Sequence, residues 1–196
     1  ENAAVAIYDF ILQNRPEGDA VDFAKIDTAK LDFKSGDAER RRIARQKFDQ
    51  VLSESTNPQL IEEAVLGVAR LLTAEKNYAE AQTWWEQYIE QSGYTLARAE
   101  ANFGYALCLD QRGQREEALK AYINIYANFI GEVDWSSNAS VRAAELLVAK
   151  GEAVSGLKVL QDFLRRNTDQ AEHPGVVKAK EAFFKMRDDF QANKKK

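Results

Sequence analysis

The stretch "GQREEALKAY", Gly113 to Tyr122, joins a turn glycine to three polar or charged residues, then Glu-Ala-Leu, then an aromatic four residues beyond the alanine. The phrase recurs along the chain. Aligned on Ala118, the same small slot returns at Ala81 in "KNYAEAQTWW" and at Gly156 in "GEAVSGLKVL", at spacings of 37 and 38 residues. Neighbouring columns repeat with it: Trp85, Tyr122 and Leu160 lie four residues after the slot, and Tyr88, Ile125 and Phe163 seven after. Leu72, Leu109 and Leu147 lie nine before, and Ala69, Ala106 and Ala144 twelve before. Small residues at two helical registers, with large apolar ones a turn away, are the pattern of paired antiparallel helices that cross closely. A fixed period of this size marks stacked supersecondary units.

Punctuation sets the helix limits. Asn57-Pro58 is an N-cap followed by proline in the first turn, and Gly93, Gly113, Gly131 and Gly151 sit where helices should stop. The predicted helices span 58–75, 78–92, 95–112, 115–130, 137–150 and 153–167, which makes repeats of 58–92, 95–130 and 137–167. Ala44 stands 37 residues before Ala81, with Phe48 and Val51 at the expected offsets, so Asp37 to Ser53 is another second helix. Its partner is expected within "AVDFAKIDTAKLDF", giving a repeat over 20–55. Asp32 and Ser35 occupy the offsets that hold Ala and Leu elsewhere, so this pair is either irregular or shifted in register.

Ala4, Tyr8 and Ile11 repeat the second-helix pattern once more, as a half repeat over 1–16. Its apolar side calls for cover from twisted packing, another chain or residues outside the sequence. Val176, Ala179, Phe183, Met186 and Phe190 follow a 3-4-3-4 spacing among charged residues, which predicts a capping helix over 174–192. The expected fold is all-α: one domain over 1–196, a solenoid of antiparallel helix pairs closed by the C-terminal helix.

Composition agrees with a helical chain. Of its 196 residues 45% are hydrophobic and 30% charged, with only 3 Pro and 10 Gly. The net charge of -4 provides no overall positive field for phosphate backbones, so nucleic acid is not an expected partner. Arg40 to Arg42 lie among Asp37, Glu39 and Asp49 and are expected to form a solvated helix face. No apolar run approaches the roughly 18 residues needed to span a bilayer. The chain starts at Glu1 rather than Met, which is compatible with a segment upstream.

Catalytic and metal-binding constellations are scarce. His173 is the only histidine, in a loop beside Pro174, and sequence spacing suggests no Ser or Cys partner for it. Cys108 is the only cysteine, in the apolar setting "YALCLD", and is expected in the core. The sequence has no His/Cys cluster and no glycine-rich phosphate loop after a strand, so no metal or cofactor is expected.

These residues resemble the tetratricopeptide (TPR) repeat. The resemblance rests on "GQREEALKAY", on "KNYAEAQTWW" and on the Ala69/Leu72 and Ala106/Leu109 columns; it spans 58–167 most fully. The period exceeds the usual value of about 34, and in this respect resembles elongated repeats of bacterial cell-envelope adaptors. The resemblance implies a right-handed superhelical solenoid, a non-enzymatic scaffold that binds a peptide or partner protein in a concave groove lined by the first helix of each pair. It places Glu63, Leu66, Gly67 and Arg70 in that groove, then Glu100, Phe103, Gly104 and Leu107, then Val141, Arg142 and Glu145. A periplasmic or envelope setting is favoured over the cytoplasm. The alternative is a structural domain that self-associates through the half repeat and the terminal helix. Gly67 and Gly104, each costing about 1 kcal/mol of helix propensity, mark either close approach of a neighbouring helix or an opened groove floor. Trp85 is expected in the core and Trp84 against an adjacent repeat or outward. Trp135, in the long connection "GEVDWSS", either packs back on the repeats or faces a partner.

Overall fold

The computed structural model describes residues 2–14, 17–91 and 97–193, with side chains from Ala6 onward. The readings on the side chain of Ala4 and on Gly93 lie outside that set. Among the described residues the secondary structure is helical, with no strand. The helices are α1 (Asn2–Asn14), α2 (Asp19–Lys34), α3 (Ala38–Glu54), α4 (Pro58–Ala74), α5 (Tyr78–Gln91), α6 (Arg98–Gln111), α7 (Arg115–Asn128), α8 (Val133–Ala149), α9 (Ala153–Arg166) and α10 (Pro174–Asn193). A 3₁₀ turn, Thr168–Gln170, precedes α10. Contacts group the chain into two compact units, 1–93 and 94–196. In the first, α2 pairs with α3 and α4 with α5; in the second, α6 pairs with α7 and α8 with α9.

Turn chemistry repeats with the period. In the second unit, Gly113 and Gly151 take left-handed φ values of 81° and 90° between first and second helix. Each turn carries the same pair of backbone bonds: Gly113 N to Asp110 O and Gln114 N to Leu109 O, then Gly151 N to Val148 O and Glu152 N to Leu147 O. This is the C-terminal cap in which a left-handed residue lets the last carbonyls find donors. The same bonds form at Lys76, whose φ is 62° without a glycine's freedom. Lys76→Gly is therefore expected to stabilise the first unit by about 1 kcal/mol, seen as a rise of several degrees in its thermal midpoint, whereas Gly113→Lys should cost a similar amount.

The turn also explains the irregular pair. Gly36 is the left-handed residue between α2 and α3, but it precedes Ala44 by eight residues, where Gly113 precedes Ala118 by five. The extra three residues shift the register, so Ala29, fully buried, takes the small slot seven residues before the turn. Asp32 then falls in the leucine column and bonds Lys47 of α3 at 2.8 Å.

Small residues meet as the columns predict. Ala106 and Ala118 are fully buried in one apolar cluster with Leu109, Tyr122 and Ile125. In the next pair a Cβ on Gly156 would stand 2.8 Å from the Ala144 carbonyl oxygen, so α8 and α9 approach backbone to backbone there. Helix starts follow local chemistry: Asp37 accepts from Arg40 N at 3.0 Å, and Asn57 accepts from Gln59 N at 3.1 Å ahead of Pro58. α8 differs from expectation. It begins at Val133 rather than 137, so "GEVDWSS" is mostly helix and not a long connection. Ser136 and Ser140 bond back to the carbonyls of Val133 and Ser137 in their own helix, and Ser137 donates to Gly175 O of α10, which lets serines sit inside it.

Candidate functional site

The first helices lie side by side within each unit, α2 beside α4 and α6 beside α8. α10 packs on both α8 and α9, the place a further first helix would take. His173 helps start α10: its Nδ1 accepts from Gly175 N at 3.1 Å, one residue beyond Pro174. The lone histidine therefore serves as a helix cap.

In the first unit, α4 positions Glu63, Leu66, Gly67 and Arg70. Glu63 is held by Lys30 of α2 at 2.5 Å. Leu66 is buried, and a Cβ on Gly67 would stand 2.4 Å from the Phe48 ring of α3. Of the two readings of Gly67, the structure selects close approach: the ring of a neighbouring helix fills the space a side chain would need. Arg70 is half-buried. Trp85 is buried and donates its ring N–H to Thr73 Oγ1 at 2.9 Å, while Trp84 lies under the Arg45 guanidinium of α3 at 5.8 Å from its ring centre.

In the second unit, α6 supplies Glu100, Phe103 and Leu107, all half-buried. Phe103 stacks at a tilt on Tyr122 of α7 (5.5 Å between ring centres) and on Trp135 of α8 (5.4 Å). Trp135 thus packs back on the repeats, because the early start of α8 brings its first turn against α6. Arg142 of α8 reaches the nearly buried Asp110 of α6 and bonds Glu145 at 2.6 Å. Burial works against its charge, but Asp110 prevails and raises the Arg142 pKa above its ordinary value. The Tyr122 hydroxyl beside this pair is fully buried, and among the described residues no group stands in good hydrogen-bond geometry to it. Its pKa is raised, first by burial and then by the Asp110 carboxylate. Arg142 therefore ties consecutive first helices together, a role that sequence spacing did not show because Asp110 lies 32 residues away.

A cavity of about 300 Å³ opens between α8 and α10. Val141, Glu145 and Val148 line it from α8 and Ala153 from the start of α9; Ala182, Lys185, Met186, Asp189, Phe190 and Asn193 line it from α10. Of the residues expected to meet a partner, Glu145 lies here, next to the groove residue Val141. Val148, Lys185 and Asp189 were missed. Val148 could have been found, since it lies seven residues after Val141 on the same helical face. The α10 residues could not, because their apolar stripe reads as core until its partner helix is known. Among the described residues no His/Cys/Asp/Glu group could hold a metal. No helix there is long and apolar enough to cross a membrane.

Comparison with protein-family models gives no match. Comparison with curated proteins gives none either. Among solved structures, the chain is similar to the crystal structure of YrrB, described as a TPR protein with an unusual peptide-binding site. The TM-score is 0.59 at 15% sequence identity, over 97% of this chain and 99% of that one. At that identity the likeness concerns fold: the chain has a TPR-like architecture of helix pairs.

Proposed function

We propose that this chain is a non-enzymatic protein-interaction module that holds a peptide, or a segment of a partner protein, along the faces of its first helices. The observation that carries the reading is the open apolar cavity where α8 meets α10, on the helix face expected to meet a ligand. The peptide-binding description of the similar YrrB structure supports it. In the second unit Glu100, Leu107 and Glu145 would touch the ligand. Phe103 and Arg142 would shape the surface from their packed positions, as Leu66 would in the first unit. In the first unit Glu63 and Arg70 would border a ligand held on α4. The test is selection from a random-peptide display library on the purified chain, followed by calorimetry of the enriched peptides. Convergence on one motif, with binding weakened by Leu107→Glu at unchanged helicity, is the expected result. A library that never enriches over the bare support would refute the reading.

A second reading, self-association, is favoured by one observation: on α1, Ile7 and Phe10 are 59% and 65% exposed. Sedimentation across a wide concentration range decides it, with a monomer throughout counting against it and a dimer lost in Phe10→Glu supporting it. A bacterial envelope setting is supported by the long period alone, and fractionation of source cells would test it.

A further inference from the structure

We propose that the cavity between α8 and α10 takes one bulky apolar side chain of a bound peptide, and that Lys185 at its rim pairs with an Asp or Glu side chain adjacent to that residue. This rests on the reading of the first-helix faces as peptide-binding. The floor is apolar, formed by Val141, Val148, Ala153, Ala182, Met186 and Phe190, and its volume of about 300 Å³ matches the lower end of sites that enclose organic ligands. Val148 remains 40% exposed in its wall, so apolar surface is left for a ligand to cover.

The rim sets the charge. Glu145 is paired with Arg142 of its own helix. Lys185 and Asp189 stand one turn apart on α10, and neither has an ion-pair or hydrogen-bond partner among the described residues. Lys185 is the one cation among the residues that line the cavity, facing the carboxylates of Asp189 and of Glu145, the latter held by Arg142. A ligand carboxylate therefore meets Lys185, and Asp189 accepts a backbone N–H from the peptide. The occupant is an internal segment that pairs a large apolar residue with an acidic one.

The experiment titrates methyl-labelled protein with four small peptides: acetyl-Glu-Trp-amide, acetyl-Gln-Trp-amide, acetyl-Lys-Trp-amide and acetyl-Gln-Trp with a free carboxylate. Shifts confined to the Val141, Val148 and Met186 methyls are expected. The Glu peptide should bind about three- to fivefold more tightly than the Gln peptide, and Lys185→Gln should erase that difference. Ala153→Leu should fill the cavity and remove the shifts; Val148→Glu serves the same purpose should the first variant fail to fold. Unmoved methyls overturn the proposal, as does tightest binding by the Lys peptide or by the free carboxylate, the latter assigning the charge to a chain terminus. Should display selection yield binders that leave these methyls in place, the cavity assignment falls and the module reading stands. Should only the small peptides bind, the module reading falls instead.

Discussion

Phe48→Ala is expected to lower the unfolding free energy of the first unit by about 4 kcal/mol. Phe48 is almost fully buried on α3, and its ring lies against the bare backbone of Gly67 on α4. Removing the ring forfeits its transfer energy and leaves a void that two helix backbones cannot close. The pairing makes a sharper test possible. Gly67→Ala gains about 1 kcal/mol of helix propensity but forces a methyl group into the ring, at an overpacking cost of about 1–3 kcal/mol. Its net effect should be a loss. In the Phe48→Ala background the clash is gone, so the same Gly67→Ala change should raise stability, with a coupling of at least about 1 kcal/mol between the sites. Urea denaturation in a Trp135→Phe protein isolates the signal of Trp84 and Trp85 in the first unit. Simple additivity of the two changes would refute the knob-and-hole account.

Gly156→Val is expected to destabilise the second unit by about 3 kcal/mol. Here the obstacle is a backbone carbonyl, Ala144 O at 2.8 Å from the added Cβ, which cannot rotate aside as a side chain does. Met186 Sδ at 3.3 Å can yield, so the cost comes from α8 and α9 being driven apart. Gly131→Ala provides the contrast: nothing lies within 4 Å of its added methyl, and it should change stability by less than about 0.5 kcal/mol. Thermal unfolding followed through Trp135 separates the two. If both variants melted alike, the close crossing of small residues would not be what holds the pair together.

The candidate site was legible in part. Val141 and Glu145 follow from helical spacing once the repeat is aligned, and the structure places both at the cavity. Leu66 and Phe103 follow from the same spacing, yet they are covered by neighbours, because one side of a first helix meets both its own repeat and the next. The two fates look identical in sequence. Arg142 shows the same limit: it has the register of a surface residue, and only the proximity of α6 turns it into a strap to Asp110.

What the chain's order of residues determined alone was every feature that depends on near neighbours: helix pairs, their period, the small slots at Ala106, Ala118 and Gly156, and the capping stripe of α10. Such features are written in spacings of three, four and seven residues. Tertiary structure alone decided the three-residue shift that moves Ala29 into the α2 slot, the early start of α8, the filling of Gly67 by Phe48 and the cavity between α8 and α10. Each of these is set by which surfaces meet across tens of residues, and the free energy of such a meeting belongs to both partners, so neither segment records it by itself.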